Sequence, residues 1–360
     1  MSAGLLDLSR SSRFQQTLGL ELPIIQAPMA GSQGVALALA VCNAGGLGSL
    51  PCAMLNLAQQ REAVAALRAG LGAGSRRPFN LNYFCHLPPT PDEARDAAWR
   101  AVLAPYLAEL GVDASASVPA PARAPIDAAT AELLDELRPP VLSFHFGLPE
   151  PALLARLRSW GATILSSATT LDEGRWLQAQ GVDAVIAQGL EAGGHRGHFL
   201  SDDLSRQLGT FALVPQLVKA LDVPVIAAGG IADAAGVAAA LALGASAVQV
   251  GSAYLLCPEA STSAVHRAAL ASEAAAHTTL TRLFSGRPAR GIVNRLMTEL
   301  GAMNAAAPDF PLASAALAPL RAAAEARGSG DFSPLWCGQN ASGCRAVPAG
   351  ELTRALAGLS

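Results

Sequence analysis

The chain has 360 residues, of which 51% are hydrophobic and 15% charged. That composition excludes a disordered chain and supplies the apolar material for one large domain, or for a barrel with an added lobe. The formal net charge of −3, with no run of Lys or Arg, argues against nucleic acid and acidic membrane surfaces as partners.

The first residues do not read as a secretory leader, because Asp7 and Arg10 interrupt the apolar stretch and no basic segment precedes it. Short apolar runs then alternate with longer helical patterns. The runs are Pro23–Ala27, Gly46–Leu50, Phe79–Phe84, Val141–Phe146, Ala162–Leu165, Ala184–Gln188, Pro224–Ala228 and Ala247–Val250. They are mostly continuous rather than alternating, as expected for parallel strands covered on both faces. Ala/Leu-rich segments such as Leu55–Ala69, Pro151–Trp160, Asp172–Gln180 and Ala234–Leu243 lie between them. Eight such units in series predict an α/β fold, a closed (β/α)8 TIM barrel, over a doubly wound open sheet with the same periodicity. The uncharged stretch Ala234–Pro258 has the length of a membrane span. Gly244, Ser246, Gln249 and Ser252 divide it instead into a helix, a stop and a buried strand, so a soluble protein is expected. The six cysteines form no C-x-x-C pair, and free thiols in a reducing cytoplasm are expected.

Two stretches leave the repeat. Ala114–Pro125, rich in Ala, Ser and Pro, reads as an irregular surface excursion after the third strand. Pro258–Ser333 reads as a smaller lobe inserted after the eighth strand and covering the active site. The barrel is then expected over residues 13–257, with the tail, residues 334–360, returning to it.

In a barrel, chemistry belongs where strands end and loops begin. The first strand ends in Ala27-Pro28-Met29, followed by Gly31, which by itself is a tight turn. Asn80 and Asn82 share one face of the third strand, and an amide's donor and acceptor suit the mixed edge of a flavin pyrimidine ring; capping a turn is the plain alternative. His145, between two phenylalanines, reads as a hydrogen-bonded core histidine or a substrate contact. The strongest local signal is Gln188-Gly189-Leu190-Glu191-Ala192-Gly193-Gly194-His195-Arg196-Gly197. Its four glycines allow backbone to approach a flat ligand, and they place His195 on the catalytic rim as a base or anion stabiliser. Gly229 and Gly230 end the seventh strand, and Gln249, Val250, Gly251 and Ser252 end the eighth. Glycine-rich ends on consecutive late strands are the usual phosphate site of barrel enzymes. No Walker loop, dinucleotide fingerprint or metal-ligand spacing is present in the sequence.

QAPMAG, NAGGLGSL, FNLNYF, SFHFGLP, QGLEAGGHRG, PVIAAGGI, QVGSAYL and PLWCGQ together resemble the nitronate monooxygenase family, nearest its bacterial class I members. The resemblance runs from about Gln26 to Gln339. It implies an FMN-binding barrel with His195, the histidine of AGGH, as catalytic residue. It also implies FMN contacts at Asn82, Gln188, Gly193, Gly230 and Gln249 through Ser252, with Met29 and its neighbours lining the flavin. His145 and Trp336 are then expected near the substrate. Ser252 stands where many relatives carry Thr and keeps the hydroxyl. The implied reaction takes a nitronate and O2 to a carbonyl compound and nitrite. Two alternatives are an FMN-dependent NAD(P)H reductase resembling the enoyl-acyl-carrier-protein reductases, and a flavin-binding module without catalysis. Against the last, such a module would have no need of His195.

Overall fold

The computed structural model describes residues 9–113 and 123–359. Most of the Ala114–Pro125 stretch lies outside the described residues. Eight parallel strands form the central sheet: β1 Ile24–Gln26, β2 Gly48–Pro51, β3 Phe79–Phe84, β4 Val141–His145, β5 Thr163–Ala168, β6 Ala184–Gln188, β7 Val225–Ala228 and β8 Ala247–Val250. Neighbours in sequence are neighbours in the sheet. The sheet closes between β8 and β1, where Ile25 pairs with Gln249 and Gln26 with Val250. Leu47 N–H then donates to Ile24 O at 2.9 Å, tying β1 to the start of β2. This is the (β/α)8 TIM barrel.

The period of two along each strand sorts side chains into two cores. Ile25, Val141, Leu165, Ala184, Ile186, Ile226 and Ala247 fill the barrel interior, and Phe14 and Leu18 of the first helix (Ser9–Leu18) close one end of it. The alternate residues, among them Leu81, Tyr83, Phe144, Val185, Val248 and Val250, face outward. They pack against Leu37, Val64, Leu67, Leu157, Leu177, Leu213 and Val237 of the surrounding helices. The eighth unit obtains its helix, Ala349–Leu356, only at the end of the chain. There Tyr254 Oη lies 2.9 Å from Thr353 Oγ1.

The uncharged stretch after β7 divides as its small polar residues suggest. Asp233 caps helix Ala234–Ala242, accepting from Gly236 N–H at 2.8 Å, a contact worth about 1 kcal/mol. Gly244, at φ +96, turns the chain into β8. Among the described residues no helix is long and apolar enough to cross a membrane.

Beyond β8 come helix Ala264–Leu270, strands Thr278–Thr281 and Ala289–Ile292, and helices Arg295–Leu300 and Ala313–Glu325. Leu283, Phe284, Leu296, Met297, Leu317 and Leu320 from this region share an apolar cluster with Trp99, Leu103, Tyr106 and Leu107. Those four lie on helix Glu93–Glu109, which follows β3. The spacing of i, i+4, i+7 and i+8 places them on one helical face. Trp99 Nε1 also donates to Ala313 O at 3.1 Å. This second apolar cluster therefore draws on two distant parts of the chain.

Candidate active site

The loop after β6 is held from within by a buried cation. Arg196 Nη2 and Nη1 donate to Gln188 O and Gly189 O at 2.8 and 2.7 Å, and Nε donates to Gln207 Oε1 at 2.8 Å. The loop then joins a second, three-stranded sheet, where Gly194–His195 pairs antiparallel with Ala289–Ile292 and His195 faces Ala289. Three of the four loop glycines answer to protein packing rather than to ligand approach. A Cβ on Gly189 would lie 2.0 Å from Thr210 Oγ1, one on Gly193 2.6 Å from the Cys337 carbonyl carbon, and one on Gly197 2.7 Å from His145 Cε1. Only Gly194, at φ +72, has open space where a side chain would point.

His195 is fixed at both its backbone and its ring. Its carbonyl accepts from Gln188 Nε2 at 2.9 Å and from His145 Nε2 at 3.1 Å. A carbonyl cannot donate, so His145 carries its proton on Nε2 and accepts from Ser167 Oγ through Nδ1, 3.1 Å away. His145 thus lines the cavity and also positions the loop. The His195 ring places Nε2 2.8 Å from Ser285 Oγ. Phe310 and Trp336 flank it, with ring centroids 5.2 and 5.5 Å away. Phe146 stands edge-on to it, under the Arg287 guanidinium, which sits 4.3 Å from the Phe146 centroid. Phe146 has φ +71, a conformation costing a residue with a side chain about 1–2 kcal/mol, held here by this ring cluster.

Burial, and then the positive charge of Arg123, hold the His195 imidazolium well below its ordinary pKa of 6.5, with Arg287 adding to the effect. Burial likewise pushes His145 down to about 3. Both rings are neutral at pH 7, so His195 can accept a proton without first losing one.

One cavity at the C-terminal ends of the strands brings together Ala27, Pro28, Met29, Asn82, His145, Gln188, Gly193, Gly194, His195, Gly229, Gly230, Gln249, Gly251, Ser252 and Trp336. Val250, grouped with the ligand contacts from the sequence, does not line it. Its side chain is buried on the outward face of β8, and its carbonyl accepts from Ala27 N–H at 2.8 Å. The alternation that turns Gln249 inward turns Val250 out.

The cavity suits a flat, polar-edged group carrying a phosphate. Gln249 Oε1 is buried with no hydrogen-bond partner among the described residues, an acceptor waiting for a donor. Gly229 and Gly230, at φ +117 and +74, form a turn without side chains ahead of helix Ala234–Ala242. Ser252 Oγ accepts from Gly338 N–H at 2.9 Å and keeps its own proton to donate. The Asn82 Nδ2 group donates to Ser143 Oγ and O at 3.0 and 3.2 Å, so its carbonyl is the atom available to a ligand. Asn80 lies deeper, bonded to Ser49 and Ser143 and absent from the cavity lining. Gln188 is engaged at both ends of its amide, with His195 O and Gly197 N–H.

The sequence reading missed Ser285, Arg123 and Phe310. Ser285 lies in the Thr/Arg/Gly-rich piece TTLTRLFSGRPARG, whose unusual composition was its only signal.

A model of the nitronate monooxygenase family matches residues 11–358. The chain belongs to the nitronate monooxygenase family. It is an enzyme, a flavin-dependent oxidoreductase. It is 45% identical to a nitronate monooxygenase from Paraburkholderia phytofirmans over 94% of this chain and 92% of that protein. Among solved structures, it resembles the nitroalkane oxidase of Streptomyces ansochromogenes with a TM-score of 0.83 and 39% identity, covering 94% of this chain and 95% of that one. FabK from Thermotoga maritima superposes less well, with a TM-score of 0.70 and 25% identity over 96% and 94% of the two chains.

Proposed function

We propose that this enzyme holds FMN in the cavity and oxidises alkyl nitronates, such as propionate 3-nitronate, with O2 to a carbonyl compound and nitrite. The observation that carries the reading is a neutral His195 presented, on a doubly anchored loop, to a cavity with a side-chain-free turn and an orphaned amide acceptor. When bound, FMN supplies the electron transfer between substrate and O2. Gly229, Gly230, Gly251 and Ser252 would hold its phosphate, while Gln249, Asn82, Ala27, Pro28 and Met29 would border its ring. FMN is chosen over FAD because one glycine-rich cradle serves one phosphate, and the sequence has no dinucleotide fingerprint.

His195 takes the α-proton of a neutral nitroalkane on its neutral ring. A nitronate is already an anion and needs no such step. Gln188 and His145, donating to the His195 carbonyl, hold its backbone, and Ser285 holds that ring. Phe146, Phe310 and Trp336 keep water from it. Six unpaired cysteines support a cytoplasmic location.

The test is anaerobic mixing of the flavin-loaded enzyme with propionate 3-nitronate or with NADH, followed at the flavin absorbance band. Bleaching by the nitronate and not by NADH is expected. Bleaching by NADH alone would replace this reading with the reductase. Heat-released chromophore should run as FMN on chromatography, and FAD there would refute the cofactor assignment.

A further inference from the structure

Among the described residues, the cavity lining holds one cation, Arg123, and one carboxylate, Glu191. Glu191 is occupied, accepting from Thr210 N–H and Oγ1 at 2.8 and 2.9 Å. Arg123 is not matched in this way. Its guanidinium Nη1 donates to Ser314 Oγ at 3.2 Å, and no carboxylate among the described residues pairs with it. Residues 114–122, just before it, are Ala, Ser, Val and Pro only and carry no negative charge to offer. Its cationic neighbour Arg321 is paired with Glu325 at 2.7 Å. Arg196, fully buried, is satisfied by loop carbonyls, and Arg287, which does not line the cavity, donates to His198 O and lies over the Phe146 ring.

Position separates Arg123 from the phosphate cradle. Ile126 N–H donates to Phe84 O at 2.8 Å, which ties this part of the chain to the end of β3. The glycine turns end β7 and β8, and β3 and β7 stand on opposite sides of the barrel in the order of its strands. His195, after β6, lines the same cavity, and Arg123 is the charged group that most strongly disfavours its protonation. A guanidinium without a carboxylate, facing a cavity from the side away from the phosphate, is a receptor for an anion on the substrate.

Resting on the nitronate reading above, we propose that Arg123 is a specificity-determining residue, binding a carboxylate at the substrate end remote from the reacting carbon. Ser314 orients the guanidinium through its one hydroxyl contact.

The experiment compares kcat/KM for propionate 3-nitronate and for propyl-1-nitronate, which lacks the carboxylate, in the native enzyme and in Arg123→Met and Arg123→Lys. Loss of a charge-assisted pair is expected to lower the ratio of the two values about 10–100-fold in Arg123→Met, through KM more than kcat, with partial recovery in Arg123→Lys. A structural or general electrostatic role would lower both substrates together and leave the ratio unchanged, which would overturn the proposal. A second measurement is succinate binding, followed by the flavin absorbance change. It should weaken by a similar factor in Arg123→Met at equal flavin content, and equal affinity would also overturn the proposal. If the native enzyme turned over neither nitronate, the functional reading would fall while the succinate comparison still decided the role of Arg123.

Discussion

His195 Nε2 lies 2.8 Å from Ser285 Oγ, so a residue from the loop after β6 is oriented by one from the segment beyond β8. The barrel supplies the loop, and the segment beyond β8 supplies the hydroxyl that holds its ring. The orientation of the imidazole therefore depends on how the segment beyond β8 packs against the loop.

Ser285→Ala should lower kcat/KM for nitroalkanes about tenfold, the worth of one hydrogen bond that fixes ring orientation, without loss of flavin. Steady-state rates at equal flavin content check this. An unchanged rate would mean that the aromatic neighbours alone orient the ring.

Arg196→Ala should destabilise the fold by about 3 kcal/mol or more, because it leaves Gln188 O, Gly189 O and Gln207 Oε1 without their donor in a buried loop. Urea unfolding reads the change. A loss under 1 kcal/mol would show that the loop relaxes around the gap.

Gly229→Ala should lose flavin. Its φ of +117 disfavours a side chain, and the new Cβ would sit 2.9 Å from both Ala192 N and Thr210 Oγ1. Gly358→Ala, at φ +76 with open space around it, serves as the control for backbone strain alone. The ratio of flavin to protein absorbance should fall severalfold in the first and stay unchanged in the second.

The barrel was legible because its strands are apolar on both faces, and β3 and β8 fall where the runs Phe79–Phe84 and Ala247–Val250 place them. The place of His195 on the cavity lining was legible because a histidine among four glycines at a strand end stands out in the sequence. The reason for those glycines was not legible, since Thr210, Cys337 and His145 meet them only in the folded chain. Ser285 lies 90 residues from His195, and Arg123 sits within Ala114–Pro125, which reads as a plain surface excursion, so nothing local marked either. Val250 falls outside the cavity lining because the two-residue period turns its side chain away from the face that carries Gln249.

The histidines also set an acid limit. Burial pushes His86, His198 and His266 down to about 4 and His145 to about 3, from an ordinary 6.5. The unfolded chain therefore binds more protons than the folded one from pH 6.5 down to those values. Stability is full above pH 6.5 and is lost as pH falls below it. Thermal melts should show Tm lower by ~5 °C or more at pH 5 than at pH 7. A flat profile would mean that these rings are not held neutral.

The most direct test of the account is His195→Asn assayed on a matched pair, a neutral nitroalkane and its preformed nitronate, at equal flavin content. Asn keeps a polar amide but cannot serve as the base. Nitroalkane turnover should fall about 10²–10⁴-fold and nitronate turnover far less, with FMN retained because other loops hold it. An equal loss on both substrates would reassign His195 to electrostatic binding. Full activity on both, with FMN bound, would contradict the central claim that this histidine carries the chemistry.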